Sequence, residues 1–69
     1  MFDIKFIKKI EKEIERKIDI NKSFIKNNLD SLDTFTLLSI FEDFYKIKLK
    51  EKDFKSIKNF KDLNKKISK

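Results

Sequence analysis

Ser31 stands between two aspartates, in the run Leu29-Asp30-Ser31-Leu32-Asp33-Thr34, where a long apolar segment begins. A serine at a helix start has two uses. It caps the helix by accepting a backbone N–H, or its hydroxyl projects into solvent and carries a covalently attached group. A phosphodiester formed there would sit against the open N–H groups and the positive end of the helix dipole. Asp30 and Asp33 would oppose that charge, so the pattern does not describe a pocket for free phosphate. They suit contacts with basic surfaces on other proteins better. On its own, Asp-Ser-Leu-Asp is also an ordinary helix opening, with Asp30 or Ser31 as the cap and Asp33 in the first turn.

Composition removes most catalytic options. Among 69 residues there is no histidine and no cysteine. Ser-His-Asp and Cys-His mechanisms are excluded, as are the commonest metal ligands and disulfide staples. One domain of this size, residues 1–69, leaves little room for a closed active site. The expectation is a protein that is not an enzyme. No apolar run is long enough to span a bilayer and no signal peptide is visible, so a cytoplasmic location is expected.

The charge of +6 raises nucleic acid as a partner. Two features weaken that inference. The chain lacks Gly, Pro, Ala and Val and is crowded with Lys, Ile, Asn and Phe, a pattern of A- and T-rich codons in which lysine gathers on solvated faces. The charge is also uneven. Residues 1–30 carry net +2, residues 31–47 carry −2, and residues 48–69 carry +6. The one acidic segment begins at Ser31.

Several elements must position that serine. Phe6, Ile7, Ile10, Ile14 and Ile18 recur at spacings of three and four, which predicts a first helix from about Asp3 to Ile18. Asp19 to Asp30 reads as a loop, with Asn21, Ser23, Asn27 and Asn28 favouring turns and Phe24-Ile25 tucking it against the core. The second helix runs from Asp30 or Ser31 to about Lys46. Its broad apolar arc holds Thr34, Leu37, Leu38, Ile40, Phe41, Phe44 and Tyr45. The opposite stripe is Leu32, Thr36, Ser39, Asp43 and Lys46, polar but for Leu32 at its head. Phe54 and Ile57 predict a brief third helix within Lys48–Lys58, and Phe60, Leu63 and Ile67 a final short one. No strand is predicted. The expected fold is all-α, a small four-helix bundle with three main helices and a short third.

The chain resembles the acyl carrier protein family, and the match covers nearly all of it. Phe24-Ile25 looks like the family's loop anchor. Asp30-Ser31-Leu32-Asp33-Thr34 matches its attachment motif, Glu42-Asp43 an acidic pair further along the recognition helix, and Tyr45 its terminal aromatic. Leu49, Glu51, Phe54, Ile57, Phe60, Leu63 and Ile67 follow the third and fourth helices without a gap. The resemblance implies 4'-phosphopantetheine, taken from coenzyme A and attached to Ser31, holding cargo as a thioester. It implies a phosphopantetheinyl transferase and acyl- or aminoacyl-loading and processing enzymes as partners. Asp30, Leu32, Asp33, Thr36, Ser39, Glu42 and Asp43 would meet those partners. Phe35, Phe41, Phe54, Ile57 and Leu63 would line an acyl cleft. A monomer is expected.

The departures sharpen the expectation. The loop before Ser31 is one residue shorter than usual and lacks the family's glycine, a role that falls to Asn28. Thr36 replaces a common acidic residue and Phe54 a small one. Phe54 should fill part of the cleft, which favours short or polar cargo. The basic charge points to a carrier in a specialised pathway. Two other readings compete. Lysines 48, 50, 52, 55, 58, 61, 65, 66 and 69 could serve a nucleic-acid-binding helical domain, although Arg16 is the sole arginine, the usual reader of guanine edges. A structural adaptor bundle would use Ser31 only as a cap.

Overall fold

The computed structural model describes residues 2–67. Four α-helices follow one another, α1 (Ile4–Ile14), α2 (Ser31–Tyr45), α3 (Glu51–Ser56) and α4 (Phe60–Ile67), with a 3-10 turn at Ile25–Asn27 in the long loop between α1 and α2. No strand occurs among the described residues.

Asp3 opens α1 by accepting the Lys5 N–H at 2.9 Å. The Asp3 N–H in turn donates to the Tyr45 hydroxyl at 3.0 Å, tying the start of α1 to the end of α2. Phe6 and Ile10 are fully buried. The helix stops at Ile14, a turn earlier than the spacing of Ile18 predicts. Glu15 takes the left-handed conformation (φ 61°), and the Glu11 carboxylate accepts the Ile18 N–H at 2.9 Å. Ile18 still packs against the core, but from a non-helical segment. Its four-residue spacing from Ile14 reflects packing rather than helix.

The loop that follows is ordered by its own side chains. Asn27 is buried; its Oδ1 accepts the Asp19 N–H at 2.8 Å, and its amide donates to the carbonyls of Asp19, Lys22 and Ser23. Asn28 is left-handed (φ 62°), as the missing glycine requires. The Asn28 N–H reaches the Ile25 carbonyl and the Leu29 N–H the Phe24 carbonyl, the paired bonds of a Schellman turn closed by an apolar contact. Arg16 donates to the Asn28 carbonyl. Phe24 is buried and its N–H donates to the Lys58 carbonyl at 3.0 Å. Its ring meets Phe60 edge-on at 5.1 Å. Ile25 does not tuck in. It is 77% exposed, because the turn that buries Phe24 directs its neighbour outward.

Leu37, Leu38, Ile40 and Phe41 bury the inner face of α2. At its end, Tyr45 packs its ring against Phe6, Phe41 and Phe44. Lys46 ends the helix in the left-handed region, and the Ile47 N–H returns to the Glu42 carbonyl at 3.2 Å. Six-residue α3 is too short to stand alone. Asp53 holds it, accepting the Lys50 N–H at 2.9 Å and pairing with Lys66 of α4 at 3.0 Å. Asn59 caps α4 by accepting the Asp62 N–H at 2.8 Å, and Phe60 and Leu63 complete the core.

Candidate functional site: the head of α2

Asp30 has extended backbone angles and its Oδ1 accepts the Asp33 N–H at 2.8 Å. It is therefore the cap of α2. Ser31 is the first residue inside the helix, exposed, and its hydroxyl makes no hydrogen bond among the described residues. The Asp33 N–H is taken by the Asp30 side chain and the Thr34 N–H by the Asp30 carbonyl at 2.9 Å. The amides of Ser31 and Leu32 remain as open donors at the positive end of a 15-residue helix. The Ser31 hydroxyl is thus exposed at a helix start whose first two amides are open.

The residues named as partner contacts divide by environment. Leu32 is 72% exposed directly beside Ser31. Asp30 and Asp43 are exposed, while Asp33, Thr36 and Ser39 are half-buried. Glu42 is different. Its carboxylate accepts the Leu49 N–H at 2.7 Å and so holds the α2–α3 connection. That is a structural duty the Glu42-Asp43 pairing in the sequence did not suggest.

The five residues named for an acyl cleft also divide. Phe41 and Leu63 are fully buried in the core. Phe35, Phe54 and Ile57 line a groove of about 640 Å³ beside Ser31. One wall is the head of α2, with Asp30, Ser31, Thr34 and Phe35. The loop supplies Phe24, Ile25 and Leu29, and the opposite wall is α3 and the segment after it, with Phe54, Lys55, Ile57 and Lys58. The Phe35 and Phe54 rings pack across the groove at 5.3 Å, tilted by 32°. Phe35 is nonetheless 56% exposed.

Lys55 and Lys58 are groove residues that the sequence offered only as part of a basic face. A signal was present, since they share the three-residue spacing of Phe54 and Ile57, one position on. Lys55 pairs loosely with Glu51 at 3.8 Å, both side chains being largely exposed. A second hollow of about 370 Å³ lies between Ile20–Ser23 and Asn59–Asn64, away from Ser31. No helix among the described residues is long and apolar enough to cross a membrane.

No protein family, curated protein or solved structure matches this chain.

Proposed function

We propose that this chain is a phosphopantetheine-dependent carrier, holding an acyl or aminoacyl cargo as a thioester on an arm attached to Ser31. The observation that carries the reading is the division of labour at the head of α2. Asp30 does the capping, so the Ser31 hydroxyl is exposed and has no structural task. In the attachment step Ser31 Oγ attacks the pyrophosphate of coenzyme A at the phosphorus bearing pantetheine. A phosphodiester forms, adenosine bisphosphate leaves, and the hydroxyl proton goes to a base on the transferase. The chain itself supplies no catalytic group, and the chemistry belongs to its partners.

Leu32 and Asp30, exposed on either side of Ser31, suit recognition by the transferase and by loading and processing enzymes. The net charge supports service in a dedicated pathway, with the carrier monomeric and cytoplasmic. A nucleic-acid-binding role has less behind it, because the lysines of the last third are distributed without an arginine to read bases.

Intact mass after incubation with coenzyme A and a broad-specificity phosphopantetheinyl transferase tests the reading. Wild type is expected to gain one phosphopantetheine and Ser31→Ala none. Because Asp30 is the cap, Ser31→Ala should lose less than about 0.5 kcal/mol of stability, whereas Asp30→Ala should lose about 1 kcal/mol. No mass gain with several transferases refutes the carrier reading. A Ser31→Ala loss as large as that of a cap would return the serine to a structural role.

A further inference from the structure

We propose that the groove beside Ser31 selects cargo with an anionic far end, a short acyl group bearing a free carboxylate held by Lys55 and Lys58. This rests on the carrier reading and names the cargo class for the same site. Two independent features lead to it.

The first concerns length. Phe35 and Phe54 meet across the groove at 5.3 Å, and the residues deeper in the core, Phe41 and Leu63, are fully buried. An acyl chain that entered the core would have to part the ring pair and displace close-packed side chains. Cargo that stays outside lies in the open groove, whose volume of about 640 Å³ is within the size range of small-ligand sites.

The second concerns charge. The charged residues lining the groove are Asp30 on the α2 wall and Lys55 and Lys58 on the α3 wall; the loop contributes Phe24, Ile25 and Leu29, none of them charged. Asp30 lies next to the attachment point and its carboxylate is occupied as the helix cap. Charge therefore changes sign across the groove, acidic beside the serine and basic on the facing wall. The arm's one charge, the phosphodiester on Ser31, stays at the head of α2 beside the open amides of Ser31 and Leu32. Beyond it the arm is neutral, and a terminal carboxylate that folds back into the groove meets the Lys55 and Lys58 ammonium groups next to an apolar floor. Lys55 and Lys58 are exposed and Lys55 shares its ammonium with Glu51 at 3.8 Å, so the attraction is a solvent-screened one that salt weakens. A purely apolar end of the same length gains the floor alone, and a cationic end is repelled.

The test loads the arm directly with the transferase, using coenzyme A, butyryl-coenzyme A or succinyl-coenzyme A labelled with 13C at its free carboxyl. Succinyl and butyryl groups share their carbon count and differ in the terminal carboxylate. The succinyl form is expected to shift the amide resonances of Phe54, Ile57 and Lys58 beyond the butyryl form. Its carboxyl should titrate below the value for free succinyl-pantetheine, since opposite charge favours ionisation. Both effects should vanish in Lys55→Gln/Lys58→Gln and weaken as salt is raised. Identical spectra for succinyl and butyryl forms, or effects that survive the double substitution, overturn the proposal while the mass gain leaves the carrier reading standing. Failure of every coenzyme A derivative to add mass overturns the carrier reading itself, and this inference with it.

Discussion

At the scale of single residues, Asp30 and Asp53, two of the aspartates that open helices or hold their ends together, have different neighbours and different consequences. Asp30 is exposed and spends its carboxylate on one backbone N–H. Asp53 is buried between α3 and α4, bonded to the Lys50 N–H and paired with the Lys66 ammonium. Those partners, the backbone N–H first and Lys66 second, hold the Asp53 carboxyl below its ordinary value of 3.8 although burial pushes the other way. A carboxyl lowered in the folded state binds fewer protons there than in the unfolded chain. Its stabilisation is therefore complete above the ordinary value and disappears as pH falls through the lower folded value. Asp53→Asn keeps an acceptor oxygen and removes the charge. Urea midpoints followed from neutral pH into acid should fall less steeply for Asp53→Asn than for wild type in the interval below 3.8. Parallel curves would mean that Asp53 contributes no pH dependence.

At the scale of elements, a chain without glycine must turn its helix ends with residues that resist the left-handed conformation. Glu15, Asn28 and Lys46 all adopt it. Asn tolerates it, but for Glu and Lys the clash of Cβ with the backbone costs roughly 1–2 kcal/mol. Glycine removes that cost and adds about 0.5–1 kcal/mol of chain entropy to the unfolded state. Glu15→Gly should therefore raise stability by about 0.5–1 kcal/mol in denaturant unfolding, and a loss of stability would show that the Glu15 side chain has a role beyond the turn. The same helix ends explain what could be read from the sequence. Helix α2 was legible because its apolar spacing and its cap coincide, and α4 was legible from its apolar spacing alone. The end of α1 was not, since Ile18 continues the helical spacing while Glu11 and Glu15 divert the backbone. The order of the loop was illegible for a different reason. Asn27 bonds to residues up to eight positions away, and Phe24 to Lys58 across the fold, and neither pairing leaves a local pattern. Ser31 stood out by its neighbours, whereas Lys55 and Lys58 were lost among eighteen basic residues until the groove brought them opposite it.

At the scale of the whole molecule, the short cargo expected from Phe54 becomes a question of how the helices share one core. Phe35 projects from α2 and Phe54 from α3, and their rings bridge the two elements at 5.3 Å, while Phe41 and Leu63 are fully buried in the core. Opening that bridge costs dispersion and apolar burial. The small bundle has little stability to offset such a cost, since domains of this size are marginal. A long acyl chain should therefore remain on the surface. Under the carrier proposal, octanoyl and acetyl groups loaded through Ser31 should produce comparable resonance changes at Phe41 and Phe54. Phe54→Ala removes one ring of the bridge and leaves a space against Ile57. That variant should lose about 1–3 kcal/mol, less than a fully buried phenylalanine because Phe54 is only half-buried. Part of the loss should return when octanoyl is attached, because the chain fills the space the ring vacated. Recovery is expected for octanoyl and not for acetyl, and it should coincide with new shifts at Phe41 in the variant alone. Large Phe41 shifts with octanoyl in wild type would instead mean that the ring pair opens readily and that cargo length is not limited by this fold.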